Sequence, residues 1–254
     1  LVKAGRSGHV VATRLGTLYW VTVHQESGQS GGARLSAKPL SKDEALASRH
    51  GLFARVSSLF SGSQTVGHSV LQDSSESIVS LAVSGFTSSR QTHDVYVLTP
   101  RSLQKWVISD RVPSQCVYTV DLLSKLSEGA SRTIPGDAAL YLLDVTVAED
   151  GTLYVLAGQQ DPSHPSHKLV VGALSPVNDS GAFVFDQVRR LTFALPEAFD
   201  TEGPYRPRIV LPNGGPGLFI VVPEAIVLST TFGTASDARF EETIKFRSGD
   251  FVLG

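Results

Sequence analysis

Methionine is absent from the chain, and cysteine occurs once, as Cys116. A single cysteine forbids an intrachain disulfide. It falls within the apolar, strand-like run Gln115-Cys-Val-Tyr-Thr-Val120, where a thiol is expected to be buried and to act as a small hydrophobe. A reducing compartment fits. No apolar run approaches the roughly 20 residues that a helix needs to cross a bilayer. No basic segment leading into an apolar one opens the chain, so no secretory signal is read. With Leu1 first and no methionine, a piece of a longer polypeptide is expected. The formal net charge is only −2, which leaves no broad basic face and argues against nucleic acid as a direct partner.

Signatures of chemistry are also scarce. There is no Gly-x-Ser-x-Gly and no His-Glu-x-x-His. Gly62-Ser-Gln-Thr-Val-Gly-His-Ser69 has the outline of a phosphate loop, but His68 stands where lysine is needed and no strand precedes it. His164 and His167 are spaced for a metal, yet no cysteine or acidic cluster adjoins them. Solvated loop histidines are expected there. Asp110, Asp121, Asp144, Glu149 and Asp150 are scattered acids without an evident pair. Asn178-Asp-Ser180 reads as a turn, and Trp106 as core packing. No catalytic residue, metal, cofactor or small-molecule substrate is assigned, and the chain is not expected to be an enzyme. A hydrolase or lectin stays open as an alternative, because two carboxylates can meet in space without a local signature.

What the chain does have is β-structure. His9–Leu15 and Thr17–Val23, parted by Gly16, form a hairpin signature. Arg34–Leu40 is a third strand that Pro39 confines to an edge or an end. Strand-like runs then recur in groups of about four. The first group is Ile78–Val83, Val95–Leu98, Leu103–Ile108 and Cys116–Val120, and a helical turn over Asp121–Leu126 follows it. The second is Ala139–Val147, Thr152–Leu156, Lys168–Val171 and Ala182–Phe185. The third is Ile209–Leu211, Leu218–Val222, Ala225–Leu228 and Thr243–Phe246, and Phe251–Leu253 opens a further one.

Gly-Thr-Leu-Tyr occurs twice, at Gly16–Tyr19 and Gly151–Tyr154, each time opening an apolar strand. The equivalent aromatics Tyr96, Tyr154 and Phe219 are spaced more widely than the ~40–50 residues of a compact propeller blade. Loops such as Asp161–Ser166 and Pro212–Gly217 are the expected cause. The fold class is all-β, a β-propeller over residues 1–254 that forms part of a larger ring, with a sandwich as the alternative.

One stretch breaks the pattern. In Gly51-Leu-Phe-Ala-Arg-Val-Ser-Ser-Leu-Phe-Ser-Gly62, the side chains of Leu52, Phe53, Val56, Leu59 and Phe60 fall within an arc of roughly 120° on a helical wheel. Ser57, Ser58 and Ser61 line the opposite side, and Arg55 flanks it. The spacing predicts a short amphipathic helix inside an inserted inter-strand loop, residues 41–77. Such a helix can close over a protein core, as in a generic propeller interaction scaffold, or lie in a membrane surface.

Val95-Tyr-Val-Leu-Thr-Pro-Arg-Ser-Leu-Gln-Lys-Trp106 resembles a blade of the N-terminal propeller of large scaffold nucleoporins. Arg55-Val-Ser-Ser-Leu-Phe60 resembles the core of that family's membrane-sensing loop. Leu218–Leu228 and Gly249–Gly254 are similar as well. The likeness is to the one-hundred-thirty-three-kilodalton family at the stem tip of the Y-shaped outer-ring complex. It spans residues 50–254, with order and spacing alone matching before that. A related inner-ring nucleoporin has a similar propeller.

The resemblance implies a seven-bladed ring in the intact protein. It also implies a structural role at the nuclear pore complex of the nuclear envelope, in pore assembly and in messenger RNA and protein transport. The partners implied are other Y-complex nucleoporins, together with curved nuclear membrane touched through residues 51–62. The membrane-contact residues would be Leu52, Phe53, Val56, Leu59 and Phe60.

Overall fold

A computed structural model describes residues 2–4, 8–13, 16–25, 33–40, 77–84, 92–109, 114–130, 139–160, 166–177, 182–196, 199, 201, 205–212, 217–230 and 240–247. The expected insert helix over 51–62, the phosphate-loop look-alike over 62–69 and the strand at 251–253 lie outside the described residues.

Among the described residues, sixteen strands form four antiparallel sheets of four strands, each in simple sequence order. The first sheet holds β1 (Val2–Ala4), β2 (Gly8–Ala12), β3 (Leu18–Gln25) and β4 (Ala33–Leu40). The second holds β5 (Ser80–Val83), β6 (His93–Leu98), β7 (Ser102–Ile108) and β8 (Gln115–Asp121). The third holds β9 (Ala139–Val147), β10 (Leu153–Gln160), β11 (His167–Val177) and β12 (Ala182–Leu195). The fourth holds β13 (Arg208–Val210), β14 (Gly217–Val222), β15 (Ala225–Thr230) and β16 (Glu241–Lys245). The leading strands β1, β5, β9 and β13 lie next to one another in that order. This is the packing of propeller blades, not of two stacked sheets.

The period-two side-chain pattern of each strand explains the stacking. Every internal blade is apolar on both faces, because each face meets a neighbour. Val10, Leu18 and Trp20 of the first blade pack on Val95, Val97, Trp106 and Ile108 of the second. The alternate side chains of the second blade, Tyr96, Leu98 and Leu103, pack on Leu153, Val155 and Val170 of the third. Leu143, Tyr154, Leu156 and Leu169 then pack on Ile209, Leu218, Ile220 and Val227 of the fourth. Leu98, Leu103, Leu153, Leu156 and Leu169 are all fully buried. Each such side chain contributes about 1.5–3 kcal/mol by leaving water. Trp106 is core, as the sequence suggests, and its indole N–H donates to Gln104 Oε1 at 3.2 Å.

The Gly-Thr-Leu-Tyr repeat is one turn used twice. Gly16 and Gly151 both take positive φ, 80° and 87°. In one turn Thr13 N–H donates to Thr17 O and Gly16 N–H to Thr13 O; in the other Ala148 N–H donates to Thr152 O and Gly151 N–H to Ala148 O. Positive φ places Cβ against the backbone in any other L-residue, which explains the glycine. The turn joins β2 to β3 in the first blade but β9 to β10 in the third.

The expected helical turn is a full helix, α1 (Leu122–Ala130). Asp121 caps it by accepting from Ser124 N–H at 3.0 Å, and Leu122 and Leu126 bury one face. This helix and the connection after it contribute to the wide Tyr96–Tyr154 spacing, which loop lengths alone were expected to explain. The long β11–β12 pair does the same for the spacing from Tyr154 to Phe219. Pro39 stands in β4, the outer edge of its sheet, where a missing N–H breaks no ladder.

Candidate functional site: end faces, blade clamps and a rim cleft

The five expected membrane-contact residues, Leu52, Phe53, Val56, Leu59 and Phe60, fall outside the described residues. What the described residues offer includes two end faces, a set of polar joints between blades and a cleft at one rim.

The end faces follow from alternation. The fourth blade turns Leu218 and Ile220 toward the third, so Phe219 and Val221 point the other way. With them lie Val210, paired to Phe219, and Ile244, paired to Ile226. Val210 is 47% exposed and Ile244 is 55% exposed. Tyr96, Tyr154 and Phe219 sit on the second strand of their blades. The first two face the following blade, and Phe219 faces where a following blade would stand. At the other end, Val23 and Leu35 are cross-strand partners on the face of the first blade turned away from the second. They are 52% and 70% exposed. No described residue covers either face.

The polar joints set three buried polar side chains, Ser80, Asp144 and Ser229, into hydrogen bonds across blade boundaries. Asp144, on β9, is buried. Its carboxylate accepts from the Ser80 hydroxyl of β5 and, at 2.8 Å, from Ile209 N–H of β13. Burial pushes this carboxyl above its usual range, against the opposing pull of Ser80, Ile209 and the charge of Arg206. Arg206 donates from an Nη to Val79 O, again across blades. At the outer side, the pairing of β12 with β11 slips between Lys168 and Val170. Glu241 of β16 accepts from Thr192 N–H at 2.9 Å, Phe193 N–H at 3.0 Å and the Thr192 hydroxyl at 2.6 Å. The slip turns these amides toward the next blade, and Glu241 collects them. Arg189 adds bonds to Thr230 O at 2.8 Å and Ser229 Oγ at 3.1 Å.

The cleft, about 400 Å³, opens at one rim between the second and third blades. Its wall includes Val79, Pro100, Tyr141, His167, Phe199 and Arg206. His167 is not the solvated loop histidine expected from its spacing. It begins β11, is buried, and hydrogen-bonds the Tyr141 hydroxyl through Nδ1 at 2.9 Å. Burial holds the Tyr141 phenol well above its usual range, so it keeps its proton. Phe199 stacks edge-on against the His167 ring, centroids 5.1 Å apart.

Among the described residues, no group of three or more His, Cys, Asp or Glu side chains could hold a metal. Asp150 accepts from Thr152 N–H in its turn, and Asp121 is the helix cap. Cys116 is half-buried, not fully buried, because it sits on the outer strand β8; its thiol contacts Tyr118 O and Thr119 Oγ1.

No protein-family profile matches the chain, and no curated protein matches it. Among solved structures, the Nup133 β-propeller domain of Vanderwaltozyma polyspora superposes with a TM-score of 0.66 at 16% identity, over 95% of this chain and 61% of that one. A functionally unknown protein from Desulfotomaculum acetoxidans DSM 771 reaches only 0.36 at 10% identity, over 97% of this chain and 69% of that one. That score carries no argument. The first likeness, together with the four successive blades, makes the fold a β-propeller, and the chain spans 61% of the length of that propeller domain.

Proposed function

We propose that this chain is part of the propeller of a structural, non-enzymatic nucleoporin of the pore's outer ring. The observation that carries the reading is the superposition on the Nup133 propeller over 95% of the chain. The blade-like motifs around Tyr96–Trp106 support it from the sequence side. The chemistry of the described acids supports it too. Asp144 and Glu241 are spent on backbone amides of neighbouring blades, and Asp121 and Asp150 on local turns. That is how side chains serve a rigid scaffold.

In this reading the apolar end faces receive further blades of the ring. The insert at 41–77 carries a helix, with Leu52, Phe53, Val56, Leu59 and Phe60 as its contacts to curved nuclear membrane. The partners are the other outer-ring nucleoporins, the site of action is the nuclear pore, and the role serves pore assembly and messenger RNA and protein transport. Salt extraction of isolated nuclear envelopes tests this. The protein carrying this chain should stay with the outer-ring complex and leave with it. Release with soluble proteins at low salt, apart from that complex, would refute the proposal.

A further inference from the structure

Arg206 has an unmet demand. Its guanidinium is half-buried, and one Nη is satisfied by Val79 O. Its Nε is shielded from water and has no acceptor. Among the described residues, no carboxylate forms an ion pair with Arg206. Asp144 attracts Arg206 through space, yet spends its hydrogen bonds on Ser80 and Ile209. A desolvated cation without a contacting anion is costly, and a planar five-donor group is suited to a carboxylate.

This arginine stands in the wall of the rim cleft. Among the described residues of its wall there is no acidic side chain, and Arg206 is the one lysine or arginine. The rest of the described wall is largely apolar and aromatic, with Tyr141, Phe199 and Pro100, and Ser77, Thr201 and His167 add neutral polar groups. Tyr141 and His167 are already locked to each other, so the wall is pre-formed. A preformed pocket of a few hundred Å³ with one cation among apolar groups fits a side chain or two, not a flat protein surface.

We propose that the rim cleft is a docking site for a short acidic peptide segment of a partner protein. One Asp or Glu of that segment meets Arg206, and a neighbouring apolar side chain packs against the paired rings of Tyr141 and Phe199. The occupant follows from charge complementarity. A basic segment would face an uncompensated guanidinium, and a neutral one would leave it unmet. The inference rests on the cleft and stands apart from the nuclear-pore reading.

A display library of random octapeptides panned on the full chain tests it. The enriched peptides carry Asp or Glu next to an apolar residue. Synthetic copies with Asn or Gln in place of the acid bind at least tenfold more weakly, and binding weakens as salt is raised. Arg206→Gln lowers affinity by the same factor. Because that variant also loses the bond to Val79, a second change is needed. Thr201→Trp, on the exposed lip, fills the cleft without touching the blade joints, and it too abolishes binding while the melting curve stays in place. Enrichment of neutral or basic peptides, no enrichment at all, or binding indifferent to both variants would overturn the proposal.

Discussion

The Asp144 carboxylate accepts the Ile209 amide hydrogen at 2.8 Å, across the boundary between the third and fourth blades. The same carboxylate accepts the Ser80 hydroxyl of the second blade. One side chain therefore ties the leading strands of three successive blades. Nonpolar packing between blades is indifferent to small sliding motions. This bond is not, so it fixes their relative height.

Asp144→Ala should destabilise the chain by about 2–4 kcal/mol, since each buried donor left unmet costs about 1–3 kcal/mol. Asp144→Asn keeps one acceptor and should cost less. The pH dependence separates the two effects. The folded carboxyl titrates above its unfolded value, so the folded state holds the proton more tightly. Its contribution is fully present in acid and declines as pH rises from the unfolded pKa through the folded one. Denaturant melts from about pH 4 to about pH 7 should show wild type losing stability relative to Asp144→Asn as pH rises. A relative gain would contradict the assignment.

Glu241→Ala removes the shared acceptor of Thr192 N–H and Phe193 N–H at the outer joint. These bonds are partly solvated, so the expected loss is about 1 kcal/mol. Amide exchange at Thr192 and Phe193 should speed up, while exchange in the third blade's β10 stays slow. Uniform acceleration across blades would argue against a local clamp.

Two glycines should fail differently. An alanine Cβ at Gly151 meets only Pro176 Cγ at 3.6 Å, so Gly151→Ala pays for positive φ alone, about 1–2 kcal/mol. A Cβ at Gly158 would lie 2.1 Å from the Tyr141 ring. Gly158→Ala must displace that ring, break its bond to His167 and reshape the cleft. Thermal melts should show the larger loss for Gly158→Ala. Equal losses would mean that Tyr141 moves freely.

The end faces make a prediction about association. Val23 and Leu35 present paired apolar side chains to solvent. Leu35→Glu, alone or with Ile244→Glu, should lower self-association of the isolated chain in sedimentation without shifting its melting point. A lowered melting point would show that other parts of the chain cover these faces.

The insert makes another. On a vesicle, Leu52, Phe53, Val56, Leu59 and Phe60 would each gain up to ~1.5–3 kcal/mol. Ordering the backbone costs ~1–2 kcal/mol per residue, which leaves little margin. The serine face adds no attraction to anionic headgroups, so binding should need the packing defects of small vesicles. Flotation should recover the chain with small vesicles and not with large ones, and Leu59→Asp should abolish it. Equal binding to both sizes, or unfolding by Leu59→Asp, would end the membrane reading.

The blades were legible in the sequence because a strand buried on both faces leaves a dense apolar run bounded by turns. The groups beginning at Ile78, Ala139 and Ile209 correspond strand for strand to the second, third and fourth blades. Val2–Ala4 was not legible: three residues carry no alternation. Helix α1 runs past Leu126 because its polar continuation gives no hydrophobic signal. The joints were invisible for a different reason. Asp144 is a lone acid in an apolar strand, and its partners lie 64 and 65 residues away. His167 finds Tyr141 across 26 residues. Only the stacking of blades brings such pairs together, and spacing along the chain does not encode it.

The measurement that bears most directly on the scaffold reading is the position of the protein in its own cells. Fluorescent tagging of the intact protein that carries this chain should give a punctate nuclear rim, coincident with an outer-ring nucleoporin and persistent after detergent removes soluble protein. Diffuse fluorescence, or enrichment on another membrane without the rim, would contradict the account.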